Sequence, residues 1–336
     1  MVKRGASVAL AMVVAAGMLA SAQAGDVNKI LAEARTALGG STLDAVKTLA
    51  MSGQSLRTSP GGLTTESDFE ATIELPDKFV RRDMVANMGN MSIYRMSGFN
   101  GDGLINEMDT PPQLSGGGGN VVMFRTVGPG GPGMMPGGTA PTPEQLEAAR
   151  KAALLASKQD FARLTLGIFA RSFPAYPLTM TYAGRAESPD GTADVIDVKG
   201  EGDFVARLFV DAKTHLPLML SWMAKEPLML TRQVGGPGGS RTVVMGGAAG
   251  QAPPGKLTPE EREKMTRQFE AQAKEAEARR RVVEYRLFYS DYRPVDAVVV
   301  PFRLQRSIDG KPTEEISLDK VKVNAKVDAK KFTVSK

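Results

Sequence analysis

Four separated segments of this chain alternate apolar and polar residues with a period of two, and no other feature limits the fold as tightly. In "SDFEATIELP", Phe69, Ala71, Ile73 and Leu75 share one face and Glu70, Thr72 and Glu74 the other. Pro76 ends the run, because it has no N–H to give to a ladder. The same period returns in "LTMTYAG" (Leu178, Met180, Tyr182), "VVEYRLFYS" (Val283, Tyr285, Leu287, Tyr289) and "KVKVNAKVD" (Val321, Val323, Ala325, Val327). One-sided strands of this kind predict an antiparallel sheet with a single buried face. The Asn-Gly and Asp-Gly pairs in "FNGDG" (Phe99–Gly103), "SPDG" (Ser188–Gly191) and "SIDG" (Ser307–Gly310) are hairpin chemistry. A parallel nucleotide-binding sheet would instead need strands apolar on both faces with crossover helices between them.

The helices are marked by their caps. "DVNKILAEARTALGG" places Ile30, Leu31, Ala34 and Leu38 at helical spacing, with Asp26 as N-cap and Gly39-Gly40 as the stop. Thr142-Pro143-Glu144-Gln145 and Thr258-Pro259-Glu260-Glu261 share one start logic: a Thr cap, Pro in the first turn, and an acid or amide three residues after the cap. The first of these helices, over 143–172, carries Leu146, Ala149, Ala153, Ser157, Phe161, Leu164 and Ile168 as a stripe. Its end, "LTLGIFARSF", is apolar nearly all round, which predicts burial there. The second, at about 258–281, has only Met265, Phe269 and alanines among dense charge and reads as a solvated surface helix. The Gly/Pro-rich runs before them, at about 110–142 and 234–257, are too poor in apolar residues to hold a structure and read as flexible insertions.

The opening "MVKRGASVALAMVVAAGMLASAQA" has a basic start, an apolar run from Val8 to Leu19 and an Ala22-Gln23-Ala24 cleavage pattern, so residues 1–24 read as a secretory signal peptide. The mature chain from Gly25 is then exported, neither lipid-anchored nor transmembrane. With no cysteine among 336 residues, disulfides and thiolate chemistry are excluded. Loss of Lys3 and Arg4 lowers the formal charge from +5 to +3, too little and too scattered for nucleic acid.

Covalent chemistry finds little to stand on. His215 is the only histidine, and no Gly-x-Ser-x-Gly elbow accompanies it. One histidine and no cysteine also fall short of a zinc or iron ligand set, so no metal or other cofactor is expected. The glycine runs "GGGGN" and "GPGGPG" are not followed by the Lys-Ser/Thr of a phosphate loop. Methionines such as Met84, Met88, Met91, Met96 and Met108 suit either gap filling in a core or a deformable binding wall.

These elements give an α+β domain: a curved antiparallel sheet with one apolar concave face, and an amphipathic helix on a leash. Two readings stay open, a helix that completes the core and a helix that shares the concave face with an apolar guest. The order "FEATIELPDKFVRR", "NGDG", the long helix, "DFVARLFVDAKTHLPLMLSW", "SDYRPVDAVVVPFRL" and "VNAKVDAKKFTVSK" resembles the LolA-like superfamily of periplasmic lipoprotein carriers and outer-membrane lipoprotein-sorting proteins. The resemblance covers most of the mature chain apart from the two insertions. It implies a single periplasmic domain over 25–336, a half-open β-barrel under a helical lid, an apolar cavity for acyl chains, no catalysis, and lipid or lipoprotein acyl chains as partners. A membrane protein of the inner or outer membrane would serve as donor or acceptor, and the chain would act as a monomer. The last strand would be "VDAKKFTV". Leu75 stands where the lipoprotein carrier has a basic residue that latches the lid, a departure that favours an apolar cavity over that latch. On this reading Phe69, Ile73, Leu75, Met180, Tyr182, Trp222, Tyr285, Leu287 and Phe302 line the sheet side of the cavity, and Leu164, Ile168 and Phe169 face them from the helix. The other function class is a non-catalytic envelope sensing or protein-interaction module that reads a partner through the charged helix 258–281.

Overall fold

The computed structural model describes residues 26–59, 62–88, 91–109, 142–189, 191–227, 230–236, 239–245 and 274–335, with isolated positions between 260 and 271. The signal segment, nearly all of the first insertion, residues 246–257 and most of the charged helix lie outside the described residues. Helix α1 (Val27–Leu38) starts where Asp26 accepts a hydrogen bond from the Asn28 N–H and stops at Gly39, whose φ of 135° is open to glycine. A 3₁₀ turn (Gly40–Ala45) leads into five antiparallel strands: β1 (Thr48–Thr58), β2 (Thr64–Glu74), β3 (Lys78–Met88), β4 (Met91–Asn100) and β5 (Gly103–Asp109). The long helix α2 (Pro143–Phe169) follows, opened by a reciprocal capping box between Thr142 and Gln145. Four more strands come next: β6 (Thr179–Ser188), β7 (Gly191–Gly200), β8 (Phe204–Asp211) and β9 (Pro217–Lys225). The chain closes with β12 (Val282–Val295), β13 (Val298–Ile308) and β14 (Lys311–Val323). Between β9 and β12, β10 (Leu230–Gly236) and β11 (Gly239–Met245) pair with each other as a separate two-stranded sheet.

Twelve strands form one open antiparallel sheet in the order β5-β4-β3-β2-β1-β14-β13-β12-β9-β8-β7-β6. The predicted alternation is the observed pleat: Phe69, Ala71 and Ile73 are buried on β2, and the partners Leu49, Met51 and Gly53 of β1 continue that face. One hydrophobic core runs across the sheet and includes α1, α2 and strands from both halves. Among the described residues no helix is long and apolar enough to cross a membrane.

The sheet is curled around α2. Phe161 of α2 meets Phe99 of β4 edge-on with ring centroids 5.4 Å apart, and Arg163, two residues on, lies 4.6 Å from the ring centroid of Trp222 on β9. In the sheet order β4 and β9 are seven strands apart, about 34 Å along a flat sheet at ~4.8 Å per strand. Two residues of a helix advance only about 3 Å and point to nearly opposite sides. Only a sheet bent around the helix meets both conditions. That enclosure also explains why Phe161, Ala162 and every residue from Thr165 to Phe169 are buried: the helix end has core on all sides.

Four expectations are changed by the structure. The predicted strand through Val327 stops at Val323, because Leu49, opposite it, is nearly the first residue of β1 and no partner remains beyond. Asn324 turns there with φ 54°, its carboxamide bound to the Lys47 N–H and the Ala45 carbonyl. "VDAKKFTV" is accordingly a 3₁₀ turn (Ala329–Phe332) that buries Phe332, not a strand. Helix α2 ends at Phe169 rather than 172, where Ala170 turns left-handed, and the N-terminal part of its stripe is open: Leu146 is 49% exposed. Residues 234–236 and 239–245, read as part of a flexible insertion, belong to the paired strands β10 and β11, in keeping with the β-forming run "TVV" opposite "TRQV".

Candidate functional site

The candidate site is the concave face and the helix it encloses. Of the residues predicted to line it, Phe69, Ile73, Ile168, Phe169, Leu287 and Phe302 are buried in the common core. Leu75, Leu164, Met180, Tyr182 and Trp222 pack against that core while half-buried, and Tyr285 joins through a stacked contact with Trp222 at 5.5 Å. The fold therefore gathers all twelve. Met180 and Tyr182 are less covered than the pattern suggests, since β6 is an edge strand with one neighbour.

The space beside them is occupied. Phe161 lies against Phe79, Phe99 and Phe173, with centroids 5.4–6.0 Å apart, and Phe169 meets Phe173 edge-on. In this arrangement α2 takes the place along the concave wall where a guest would lie. A cleft of about 320 Å³ is found elsewhere, at the outer side of α1, lined by Asn28, Leu31, Arg35 and Asp44 among others.

Two kinds of contact hold α2. Toward its C-terminal end the fit is close: a Cβ on Gly167 would sit 2.2 Å from the Tyr289 ring, so only glycine allows this approach. The Tyr289 hydroxyl donates to the Arg163 carbonyl, and the Tyr292 hydroxyl lies within hydrogen-bond distance of the Gly167 and Pro217 carbonyls. Burial raises the pKa of both phenols, so they stay neutral donors. One turn earlier the contacts are polar and lie at the rims. Lys158 reaches Asp102 in the β4–β5 turn at 2.8 Å, and Gln159 donates to the Glu201 and Gly202 carbonyls in the β7–β8 turn at 3.4 and 3.3 Å. Adjacent helix residues thus touch turns near the two opposite edges of the sheet.

Along the concave face the chemistry switches from apolar to charged on several strands at one level. On β14 the sequence of inward residues is Leu318, Ile316, Glu314; on β13 it is Phe302, Leu304, Arg306; on β3 it is Phe79, Arg81, Asp83. On β1, Met51 and Gly53 give way to Ser55 and Arg57. Arg81 binds Glu314 at 2.6 Å and Asp83 at 2.8 Å; Arg57 binds the same two acids at 2.9 and 2.7 Å; Arg306 lies 3.5 Å from Glu314. Burial would raise the Glu314 pKa, but the Arg81, Arg306 and Arg57 guanidiniums outweigh it and hold the carboxyl well below its ordinary range. Burial likewise works against the charge on Arg81, and Asp83 and Glu314 together more than restore it. From the helix, Arg163 pairs with Asp160 at 3.0 Å and lies between the Phe204 and Trp222 rings. Burial lowers its pKa, and its Nε is buried with no hydrogen-bond partner among the described residues.

Sequence patterning did not single out Arg163, Gly167, Tyr289, Tyr292 or this arginine group as site residues. The one local signal was Gly167, an isolated glycine inside a strong helix, which costs about 1 kcal/mol unless packing requires it. His215 sits in the turn after β8 with φ 59°, its Nδ1 3.7 Å from Glu33 of α1. It is a turn residue at the surface.

No family profile and no curated protein matches the sequence. Among solved structures the chain is similar to a putative outer membrane lipoprotein-sorting protein domain from Vibrio parahaemolyticus, with 9% identity and TM-score 0.41, over 91% of this chain and 97% of that one. It is similar to a DUF1329 family protein from Desulfovibrio piger, with 9% identity and TM-score 0.42, over 91% and 97%. A LolA superfamily protein from Nitrosomonas europaea matches with 9% identity and TM-score 0.41, over 92% and 98%. The similarity is one of chain course, and no site residue is carried over from it.

Proposed function

We propose that this protein is an exported periplasmic carrier or binding protein that holds a lipid or lipoprotein acyl chain, without covalent chemistry, against the concave face of its sheet. Helix α2 is the element that yields its place to the chain. The observation that carries the reading is the enclosure of α2 by strands from both halves of one bent sheet. A sheet that packed a helix only to finish a two-layer core would not need to reach around to its far side.

The energetics favour exchange. The Lys158–Asp102 contact is exposed on its acidic side, where solvent screens it, and contributes little. What holds α2 is burial, roughly 1.5–3 kcal/mol for each of Phe161, Leu166, Ile168 and Phe169. A sixteen-carbon chain buried at ~0.8 kcal/mol per CH₂ offers a return of the same order. Helix and acyl chain are therefore competitors of matched strength for one wall.

Native mass spectrometry and a titration with a hydrophobic fluorescent probe test this. The protein is expected to carry or take up an acyl ligand, and Trp222, the only tryptophan, is expected to report it because α2 rests on its ring through Arg163. Finding neither co-purified lipid nor saturable probe binding would remove the carrier reading.

A further inference from the structure

The charged level of the concave face holds more cation than its acids can balance. Arg57, Arg81 and Arg306 of the sheet gather around Asp83 and Glu314, and Arg163 with Asp160 of α2 faces them, an excess of one positive charge among these residues. Arg95 stands opposite Asp83 in the β3–β4 register, where burial and the nearby Arg57 work against its charge and Asp83 supports it. Excess charge of one sign in a low-dielectric concavity focuses its field on whatever enters. The next inward residues on the same strands, Leu304 and Ile316, are core, and the Arg81 guanidinium lies 5.0 Å from the centroid of the buried Phe69 ring. Cation and apolar wall are thus one strand step apart.

Resting on the carrier reading above, we infer that this arginine-rich level is a headgroup subsite: Arg57 and Arg306 bind the phosphate-type anion of an amphiphile whose acyl chain lies along the apolar level below. The side chains of Arg57 and Arg306 are 40% and 30% exposed, so both can turn toward an incoming anion while Arg81 stays locked on Glu314 and Asp83. Guanidinium suits the task, since its planar fork matches phosphate oxygens two at a time. The apolar chain supplies affinity and the anion sets orientation, head toward the charged level and tail along Phe79 and Phe99 of the sheet.

The test compares lysophosphatidylglycerol, the monoacylglycerol of the same chain length, and inorganic phosphate, each titrated below micelle formation and followed by Trp222 emission. The anionic amphiphile is expected to bind about tenfold or more tighter than the neutral one, in line with two charge-assisted hydrogen bonds. The advantage should shrink as salt rises. Arg57→Gln with Arg306→Gln should abolish it, bringing the two amphiphiles to equal affinity, while Arg306→Lys alone should keep part of it. Both positions are half-exposed, and circular dichroism of each variant checks the fold. Equal affinity for the two amphiphiles would overturn the subsite and leave the carrier reading standing. Phosphate binding with neither amphiphile bound would overturn the carrier reading and the lipid source of the anion, and keep only a small-anion site.

Discussion

Replacing Gly167 by alanine sets helix propensity against packing, and the structure decides the sign. In an isolated helix the change would stabilise by about 1 kcal/mol. Here the new methyl would lie 2.2, 2.3 and 2.6 Å from three atoms of the Tyr289 ring. That ring is 2% exposed and its hydroxyl is tied to the Arg163 carbonyl, so it has no room to swing aside. Overpacking of this kind costs about 1–3 kcal/mol. If the ring shifts instead, a buried hydroxyl loses its acceptor, at about 1–3 kcal/mol. The balance is a destabilisation of up to about 2 kcal/mol, or a Tm lower by up to about 4 °C for a domain of this size. Calorimetry reads the stability, and Trp222 emission reads whether α2 has moved off its seat. A second background removes ambiguity: with Tyr289→Ala the ring is gone, and Gly167→Ala should become neutral or stabilising. A higher Tm for Gly167→Ala in the unaltered protein, or the same effect in both backgrounds, would refute the claim that the sheet grips the helix at this point.

Two further outcomes follow from the charged level and from the hairpin. The Glu314 pKa is depressed in the folded state, so its contribution is fully present above the ordinary carboxylate value of 4.5 and is lost as pH falls below that toward the folded value. Glu314→Gln should cost about 1.5–3 kcal/mol near neutral pH by leaving Arg57 and Arg81 to share Asp83 alone and removing the nearer carboxylate from Arg306, and should flatten the acid limb of Tm against pH; an unchanged acid limb would argue against it. Deleting residues 234–280 should leave acyl-chain binding intact, because β10 and β11 pair only with each other and the described end of the following helix meets β9 through exposed contacts such as Lys225–Glu277. Loss of ligand on deletion would shift the function toward that segment.

Strand faces, hairpin turns and caps were legible because each rests on near neighbours in sequence. The two-residue alternation in "DFEATI" is kept in β2 by buried Phe69, Ala71 and Ile73, with Thr72 of the polar face buried as well, and the Thr142 capping box formed as its spacing requires. What pairing decides was not legible: the last strand was drawn through Val327, yet it stops where β1 offers no partner. The site was half legible. The twelve apolar residues were named from their faces, but sequence gives no measure of sheet curvature, and curvature brings Phe99 and Trp222 to the two sides of one helical turn. The arginine level escaped notice because Arg57, Arg81 and Arg306 are scattered over two hundred and fifty positions and meet only through the registers of β1, β14 and β13. Arginine on a strand reads by default as a solvated face.

The place of β14 in the strand order has a consequence for how the protein is made. Strands β1 to β5 form one wing and β6 to β9 with β12 and β13 supply the other, and among the described residues no ladder joins the wings except through β14, which binds β1 on one side and β13 on the other. During synthesis from the amino end, both wings emerge with a bare edge before residue 311 is reached. Contacts across such sequence distances form slowly, and bare edges invite pairing with other chains. Thirteen residues, Lys311–Val323, act as the zip that seals the wings around α2, and a chain cut short of them would be left with two sticky half-sheets.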